Sequence, residues 1–126
     1  MIRKSVINVA LEECKEVKDN IFPRIGAVVF KGKKIYGSGH NEIRSSCYPD
    51  KHKKWYDSLH AEQAALYHLD WNTLKGCSML VVRYGKAGFF GMAKPCPMCE
   101  KLLKHVGFKD VYFTNEKGEI ERMSLR

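Results

Sequence analysis

The stretch PCPMCEKLLKHVGFKDVYFT, residues 95–114, decides the fold. Proline suits the first turn of a helix and glycine its C-terminal end, so the stretch predicts a helix that residues 95–97 open and that ends at about Val106, before Gly107. The β-branched and aromatic residues after it predict a strand over 111–114. A helix that leads directly into a strand is typical of a sheet covered by helices.

The segments before this stretch continue the alternation of helices and strands. Apolar residues spaced as on one face of a helix predict an amphipathic helix near the N-terminus. Two β-branched runs joined by a glycine-bearing turn indicate a β-hairpin. A second helix is expected after the capping side chains of Asp57 and Ser58, and a further strand follows it. These five elements are predicted over residues 2–18, 25–30, 34–39, 59–69 and 77–83.

The C-terminal tail predicts a fifth strand. The residues after Thr114 are too few for a crossover helix and another parallel strand, whereas residues 115–118 can close a tight turn. A strand over 119–124 is therefore expected to run antiparallel to the strand before it. We predict an α/β fold with three layers, a mixed five-stranded sheet with helices packed on it, in a single domain over residues 1–126.

The composition describes a basic globular protein. The 126 residues are 44% hydrophobic, and 22 Lys and Arg residues against 14 Asp and Glu residues give a formal net charge of +8. This content disfavours disorder, and the length allows a buried core without disulfides. No apolar run approaches the roughly 18–20 residues of a membrane span, and no secretory signal is present, so we expect a cytoplasmic protein with no membrane association. The positive charge suits nucleic acid, the phosphate of a small nucleotide, or solubility alone.

The cysteine pattern indicates a metal site. Five cysteines, an odd number without an export signal, argue against a disulfide framework. His60 opens the predicted second helix, and Cys96 and Cys99 open the third. One imidazole and two thiolates are three of the four ligands of tetrahedral zinc, and such a set leaves one position open for water, as in catalytic sites. Both thiols lie on one face of a helix's first turn, where the helix dipole favours the thiolate.

Glu62 follows His60 by two residues, too close for both side chains to point straight at one metal from a regular helix. Its carboxylate can still lean across the open coordination position. There it could take a proton from the activated water and deliver it to a ring nitrogen, and then to leaving ammonia. A metal that activates water and a carboxylate that moves protons suit hydrolytic deamination of an amidine-like carbon.

Two segments, HAE at residues 60–62 and PCPMC at residues 95–99, together resemble the signature of the cytidine and deoxycytidylate deaminase superfamily, the zinc-dependent nucleobase deaminases. The order of helices and strands is also similar to the cytidine deaminase fold, so the resemblance covers most of the chain. For the site, the resemblance implies Glu62 as the catalytic proton shuttle and three ligands of Zn2+, which are His60, Cys96 and Cys99.

The same resemblance implies a substrate and its contacts. The implied enzyme is a zinc-dependent hydrolase of nucleotide metabolism that converts a cytosine moiety to uracil, on a (deoxy)cytidine nucleotide or nucleoside. Asn41 falls where the family places an asparagine that bonds the substrate's sugar or base, and backbone N–H groups around Ala61 would orient the base. Relatives often form homo-oligomers, which is the expectation here. The lack of a helix before the last strand is similar to free cytidine deaminases and to some toxin-type or RNA-editing deaminases.

Two long loops, residues 41–57 and 84–94, are the expected specificity elements, because loops around a site carry much of its recognition. In the first, Trp55 follows the basic run 51–54. Its ring could stack on a base while the lysines engage phosphate, as in single-strand binders. A solvated loop with one anchored aromatic explains the pattern equally well.

Tyr84 is a second aromatic candidate for substrate binding. Arg44 and Arg83 could equally contact a phosphate or a ring, and the sequence does not distinguish between these two residues and Tyr84. Cys47 and His52 lack the spacing of a ligand pair, so a second zinc site near them stays an open question.

Two other functions fit the sequence. The net charge of +8 favours a deaminase that acts on cytosine in single-stranded DNA or RNA, where the target base is unstacked. The other function is a deaminase-like module that contains zinc and binds nucleic acid without catalysis. An intact Glu62 argues against this module, since a protein without catalysis has no use for a proton shuttle beside an open metal position.

Overall fold

The computed structural model describes residues 2–17, 24–43, 58–85 and 90–125. In these ranges the helices are α1 (Lys4–Lys15), α2 (Ala61–Leu66) and α3 (Pro97–Val106), and a short 3₁₀ helix spans Trp71–Thr73. The strands are β1 (Arg24–Lys31), β2 (Lys34–His40), β3 (Glu42–Ile43), β4 (Ser58–Leu59), β5 (Ser78–Tyr84), β6 (Phe90–Gly91), β7 (Asp110–Thr114) and β8 (Ile120–Ser124).

The main sheet is mixed and has the order β2-β1-β5-β7-β8, and the short β6 pairs with the end of β5. β5 and β7 are parallel, and the other pairs in this sheet are antiparallel. β8 runs antiparallel to β7, with Val111 opposite Met123. The predicted mixed five-stranded sheet and its antiparallel last strand are therefore confirmed, and β6 adds a sixth strand of two residues.

Helices cover both faces of this sheet, because successive side chains of a strand point to opposite faces. On one face, Val6 of α1 shares a core with Val28 of β1. On the other, Leu66 of α2 and Leu103 of α3 share a core with Val29. Each of these side chains is at most 1% exposed, and burying each one stabilises the fold by about 1.5–3 kcal/mol. The three layers predicted from the sequence are thus confirmed.

The close approach of α2 to β2 requires glycine at position 39. A Cβ atom on Gly39 would collide with the backbone of Ala64 and Ala65 in α2. The absence of that atom lets the helix lie directly on the strand. Gly39 therefore sets the position of α2 relative to the end of β2, which leads into Asn41.

The start of α2 differs from the sequence prediction. Ser58 lies in β4, paired with Ile43 of β3, while Asp57 lies outside the described residues. His60 is the N-cap instead, and its backbone N–H donates to Gln63 Oε1 over 3.1 Å. Pairing between two strands that are distant in sequence has thus taken the residue that local capping preference assigned to the helix.

The end of α2 also comes earlier than predicted. The helix stops at Leu66, whose carbonyl oxygen accepts a hydrogen bond from Trp71 Nε1 over 3.2 Å. This bond satisfies a carbonyl group that the end of the helix leaves without an intrahelical partner. The two predicted loops contain short strands as well, since β3 begins the first loop and β6 lies within the second.

None of the described helices could cross a membrane. The longest, α1, has 12 residues, fewer than the roughly 20 that a bilayer core requires.

Candidate active site and metal centre

Three metal-binding side chains meet at the N-terminal ends of α2 and α3. His60 is the N-cap of α2, Cys96 is the N-cap of α3, and Cys99 lies in the first turn of α3. His60 Nδ1 lies 3.3 Å from Cys99 Sγ and 3.8 Å from Cys96 Sγ. All three donor atoms lie within 4.8 Å of one another. The two helices meet here because both pack on the same face of the sheet.

The spacing of these donors fits a tetrahedral zinc ion. Zn–S bonds of about 2.3 Å and Zn–N bonds of about 2.0–2.1 Å, at a tetrahedral angle, place a nitrogen and a sulfur ligand about 3.6 Å apart. The two N···S distances in the protein, 3.3 and 3.8 Å, lie on either side of that value. An imidazole and two thiolates are also a donor set that zinc favours. The residues present therefore fit the predicted Zn2+.

The electrostatics of the site favour a bound cation. Burial raises the pKa of the Cys99 thiol, and the neighbouring Glu62 and Cys96 raise it further. A thiolate at this position is therefore stable only beside positive charge. A zinc ion supplies that charge, and the positive ends of the α2 and α3 dipoles add to it.

Glu62 is the buried acid beside the donor atoms. It lies in the first turn of α2 and is only 6% exposed. Burial raises the pKa of its carboxyl group, while its own backbone N–H, His60 and Cys99 oppose that shift. Acidic side chains are rarely so well buried, and those in a cleft beside a specific charged partner are candidates for acid–base chemistry.

A cavity of about 330 Å3 opens beside Glu62 and His60. Ala61 and Asn41 lie on its wall, together with the apolar side chain of Val81. Its volume lies at the small end of the range for small-molecule sites, roughly 300–1,000 Å3. Two of the predicted substrate contacts, Ala61 and Asn41, are thus located where a small ligand beside Glu62 would touch them.

The side chain of Asn41 is held in one orientation. Its Oδ1 atom accepts a hydrogen bond from the Ile25 backbone N–H over 2.8 Å, and its own backbone N–H donates to the Ile25 carbonyl oxygen over 3.2 Å. These two bonds connect the residue after β2 to the neighbouring β1. The Asn41 amide group is therefore positioned at the cavity before any ligand arrives.

The structure places Tyr84 away from this cavity. Tyr84 lines a groove on the face of the sheet that α1 covers, together with Arg24 and Phe90, whose ring centroid lies 6.1 Å from that of Tyr84. The preceding residue, Arg83, lines the cavity instead. The alternation of side chains along β5 explains why two adjacent candidates lie on opposite faces.

Several residues singled out in the sequence lie outside the described residues. They include the predicted substrate contact Trp55 and the residues weighed for a second zinc site or for phosphate binding, Cys47, His52, Arg44 and the run 51–54. Their proposed roles stay predictions.

Sequence reasoning missed three residues of this site. Met92 and Lys94 lie on the cavity wall. Thr114, which is 1% exposed, supports that wall: its hydroxyl donates to the Gly91 carbonyl oxygen over 2.7 Å, and its own carbonyl oxygen accepts from the Ala93 N–H over 2.9 Å. A threonine at the end of a buried strand does not by itself indicate a functional site. Thr114 supports the cavity wall because β7 lies beside β5.

The fold and the site together define a class of protein, a three-layer α/β domain with a His-Cys-Cys zinc site at the starts of two helices and a buried glutamate beside it. Residues 2–115 match the family described as the cytidine and deoxycytidylate deaminase zinc-binding region, and the chain belongs to that family.

Known relatives are similar to this chain over most of its length. The deoxycytidylate deaminases of Pongo abelii and Homo sapiens are 30% and 29% identical to it over 106 residues, which cover 75% of this chain and 54% of each relative. The chain thus spans about half the length of these curated relatives.

Two solved structures share the fold. A cytidine deaminase from Burkholderia pseudomallei superimposes with a TM-score of 0.70 at 18% identity and covers 99% of this chain and 94% of its own. The dCMP deaminase from the cyanophage S-TIM5 gives a TM-score of 0.64 at 24% identity, with 90% of this chain and 82% of the phage protein covered. The predicted cytidine deaminase-like fold is confirmed.

Proposed function

We propose that this protein is a zinc-dependent deaminase that hydrolyses a cytosine moiety to uracil and ammonia, on a (deoxy)cytidine nucleotide or nucleoside. One observation carries the proposal: Glu62, buried and beside three zinc-binding donors, lies on the wall of a cavity of about 330 Å3. Family membership supports the same conclusion, since the names of its members concern cytidine and deoxycytidylate.

His60, Cys96 and Cys99 would hold the zinc ion, which when bound supplies a water molecule of lowered pKa for attack on carbon. Glu62 moves the protons. It accepts one proton from the attacking water and passes it to N3 of the ring as the C4–O bond forms. The remaining hydroxyl proton then passes through the same carboxylate to the amino group, the C4–N bond breaks, and uracil and ammonia leave.

The other residues of the cavity bind the base and keep water out. Ala61 is fully buried, and its backbone lies between His60 and Glu62, where an N–H group can orient the ring. Val81 supplies an apolar wall. Asn41, held by Ile25, offers a fixed amide to the sugar or base. Groups held in place before binding lower the cost of ordering the substrate.

An ammonia-release screen tests the proposal. The zinc-loaded protein is given cytosine-containing nucleosides, nucleotides and short oligonucleotides, with the adenine and guanine counterparts as controls. We expect ammonia and the matching uracil product from a cytosine nucleoside or nucleotide. Release from oligonucleotides alone, falling steeply with salt, would instead identify a deaminase of single strands. Absence of release from every cytosine substrate would overturn the proposal.

A further inference from the structure

Two cationic side chains lie on the wall of the cavity that contains Glu62. Arg83 extends from β5, and Lys94 lies in the segment that leads into Cys96. Among the residues that the structure describes, neither cation forms an ion pair with an acidic side chain. Both positive charges lie on the wall of the space that a ligand beside Glu62 would occupy.

Arg83 is held in place by its neighbours. Its backbone N–H donates to Thr114 Oγ1 over 3.2 Å, and its Nη1 donates to the Met92 carbonyl oxygen over 3.4 Å. A guanidinium group carries five N–H donors, and the bond to Met92 uses one of them. The others suit a ligand with several acceptor oxygens.

The structure distinguishes Arg83 from Tyr84, two residues that the sequence left equal as possible contacts for a phosphate or a ring. Arg83 lines the cavity, whereas Tyr84 lies on the opposite face of the sheet. Lys94 supplies a second positive charge on the same wall. A phosphate monoester, which carries about −1.5 to −2 charges at neutral pH, is the ligand that this pair of cations would recognise, and arginine binds its oxygens in a bidentate manner.

We propose that Arg83 and Lys94 form a phosphate subsite of this cavity, so that the substrate is a nucleoside monophosphate rather than a free nucleoside. The inference rests on the proposed function and specifies its substrate. A cavity of about 330 Å3 suits one nucleotide. A polynucleotide site would instead need a longer basic groove with several stacking platforms.

Substitution kinetics test the subsite. We expect the wild-type protein to prefer dCMP to deoxycytidine, and Arg83→Gln to lower kcat/KM for dCMP by about 10-fold to 100-fold, mainly through KM, because a charge-assisted hydrogen bond is lost. The kcat/KM for deoxycytidine should not change. Lys94→Gln, at an exposed position, should act in the same direction with a smaller effect. Arg83→Lys, which keeps the charge, should restore part of the preference.

The matched controls are Arg3→Gln and Lys101→Gln, which remove the same charges from exposed positions on α1's N-cap and on α3. Both should keep the wild-type preference for dCMP. Thermal unfolding shows whether Arg83→Gln is folded, and Lys94→Gln serves as the test if it is not. Equal losses on dCMP and deoxycytidine, or a wild-type protein that does not distinguish them, would overturn the subsite.

A binding experiment separates this inference from the proposed function. The zinc-loaded protein is titrated calorimetrically with dUMP and with deoxyuridine, which requires no turnover. Weaker dUMP binding by Arg83→Gln with unchanged deoxyuridine binding supports the subsite even if no ammonia is released, in which case only the proposed function fails. Deamination with no dependence of dUMP binding on Arg83 or Lys94 leaves the proposed function intact and removes the subsite.

Discussion

Glu62 combines deep burial with contact with a metal-binding thiol, whereas the other deeply buried acid among the described residues, Asp110, lies beside Arg122. We expect Glu62→Gln to keep the shape and polarity of the side chain but to lose proton transfer, so that kcat falls by at least about 100-fold to 1,000-fold. Ammonia release measures the rate, and metal analysis should show zinc retained at the wild-type ratio. Glu12→Gln, on the exposed side of α1, is the matched control. Turnover near the wild-type rate would contradict the role of Glu62.

Asn41 accepts a hydrogen bond from Ile25 and is also a predicted substrate contact, and two substitutions distinguish these two roles. Asn41→Asp keeps an oxygen that can accept from the Ile25 N–H but loses the amide donors, so we expect an unchanged Tm and a kcat/KM lowered by about 10-fold or more. Asn41→Ala removes both, and the unsatisfied Ile25 N–H should cost about 1–3 kcal/mol of stability. Full activity in Asn41→Asp would show that the residue acts only through the fold.

At this scale the sequence predicted the donors but not their surroundings. His60, Cys96 and Cys99 could be recognised because zinc chemistry depends on residue type and on spacing within one turn of helix. The placement of Arg83 and Tyr84 on opposite faces of the sheet could not be predicted in this way, since it depends on how β5 packs in the fold. The role of Thr114 depends on the parallel pairing of β5 with β7.

Among the elements, α2 carries both a zinc donor and the acid, so its placement on β2 controls the site. We expect Gly39→Ala to force α2 away from the strand, to lower stability by about 1–3 kcal/mol and to weaken zinc binding. Chemical denaturation and zinc titration measure the two effects. Gly91→Ala is the matched control for stability, because the atoms nearest to its added Cβ belong to the Arg83 side chain and lie at ordinary contact distance. Equal stability of the two variants would contradict the argument.

Local sequence patterns predicted the order of the helices and strands, but they did not predict the bounds of α2. Capping preference placed the start of the helix after Asp57 and Ser58, but Ser58 pairs with Ile43 and the cap moves to His60. The shift has a functional consequence, because the N-cap position directs the His60 side chain toward Cys96 and Cys99 at the start of α3. The position of this N-cap depends on the long-range pairing of β3 with β4.

For the molecule as a whole, a zinc ion bound by these residues would join α2 to α3. We expect chelation to lower the Tm and abolish ammonia release, and added zinc to restore both, since a ligand that binds only the folded state stabilises it by mass action. Cys99→Ala should lose zinc, whereas Cys77→Ala, buried outside the site, should retain it. A Tm that does not respond to zinc would contradict a link between the metal and the fold.

The sequence by itself determined the alternation of helices and strands and the antiparallel β8, and it predicted the three side chains that could hold a metal and the acid beside them. These features depend on residue type and on spacing within a few residues. The tertiary structure alone decided that Asn41 is held by Ile25, that Glu62 is buried at the cavity, and that Arg83 rather than Tyr84 faces it. Each of these depends on the packing of segments that are distant in sequence, because strand pairing and helix packing decide which side chains share a space.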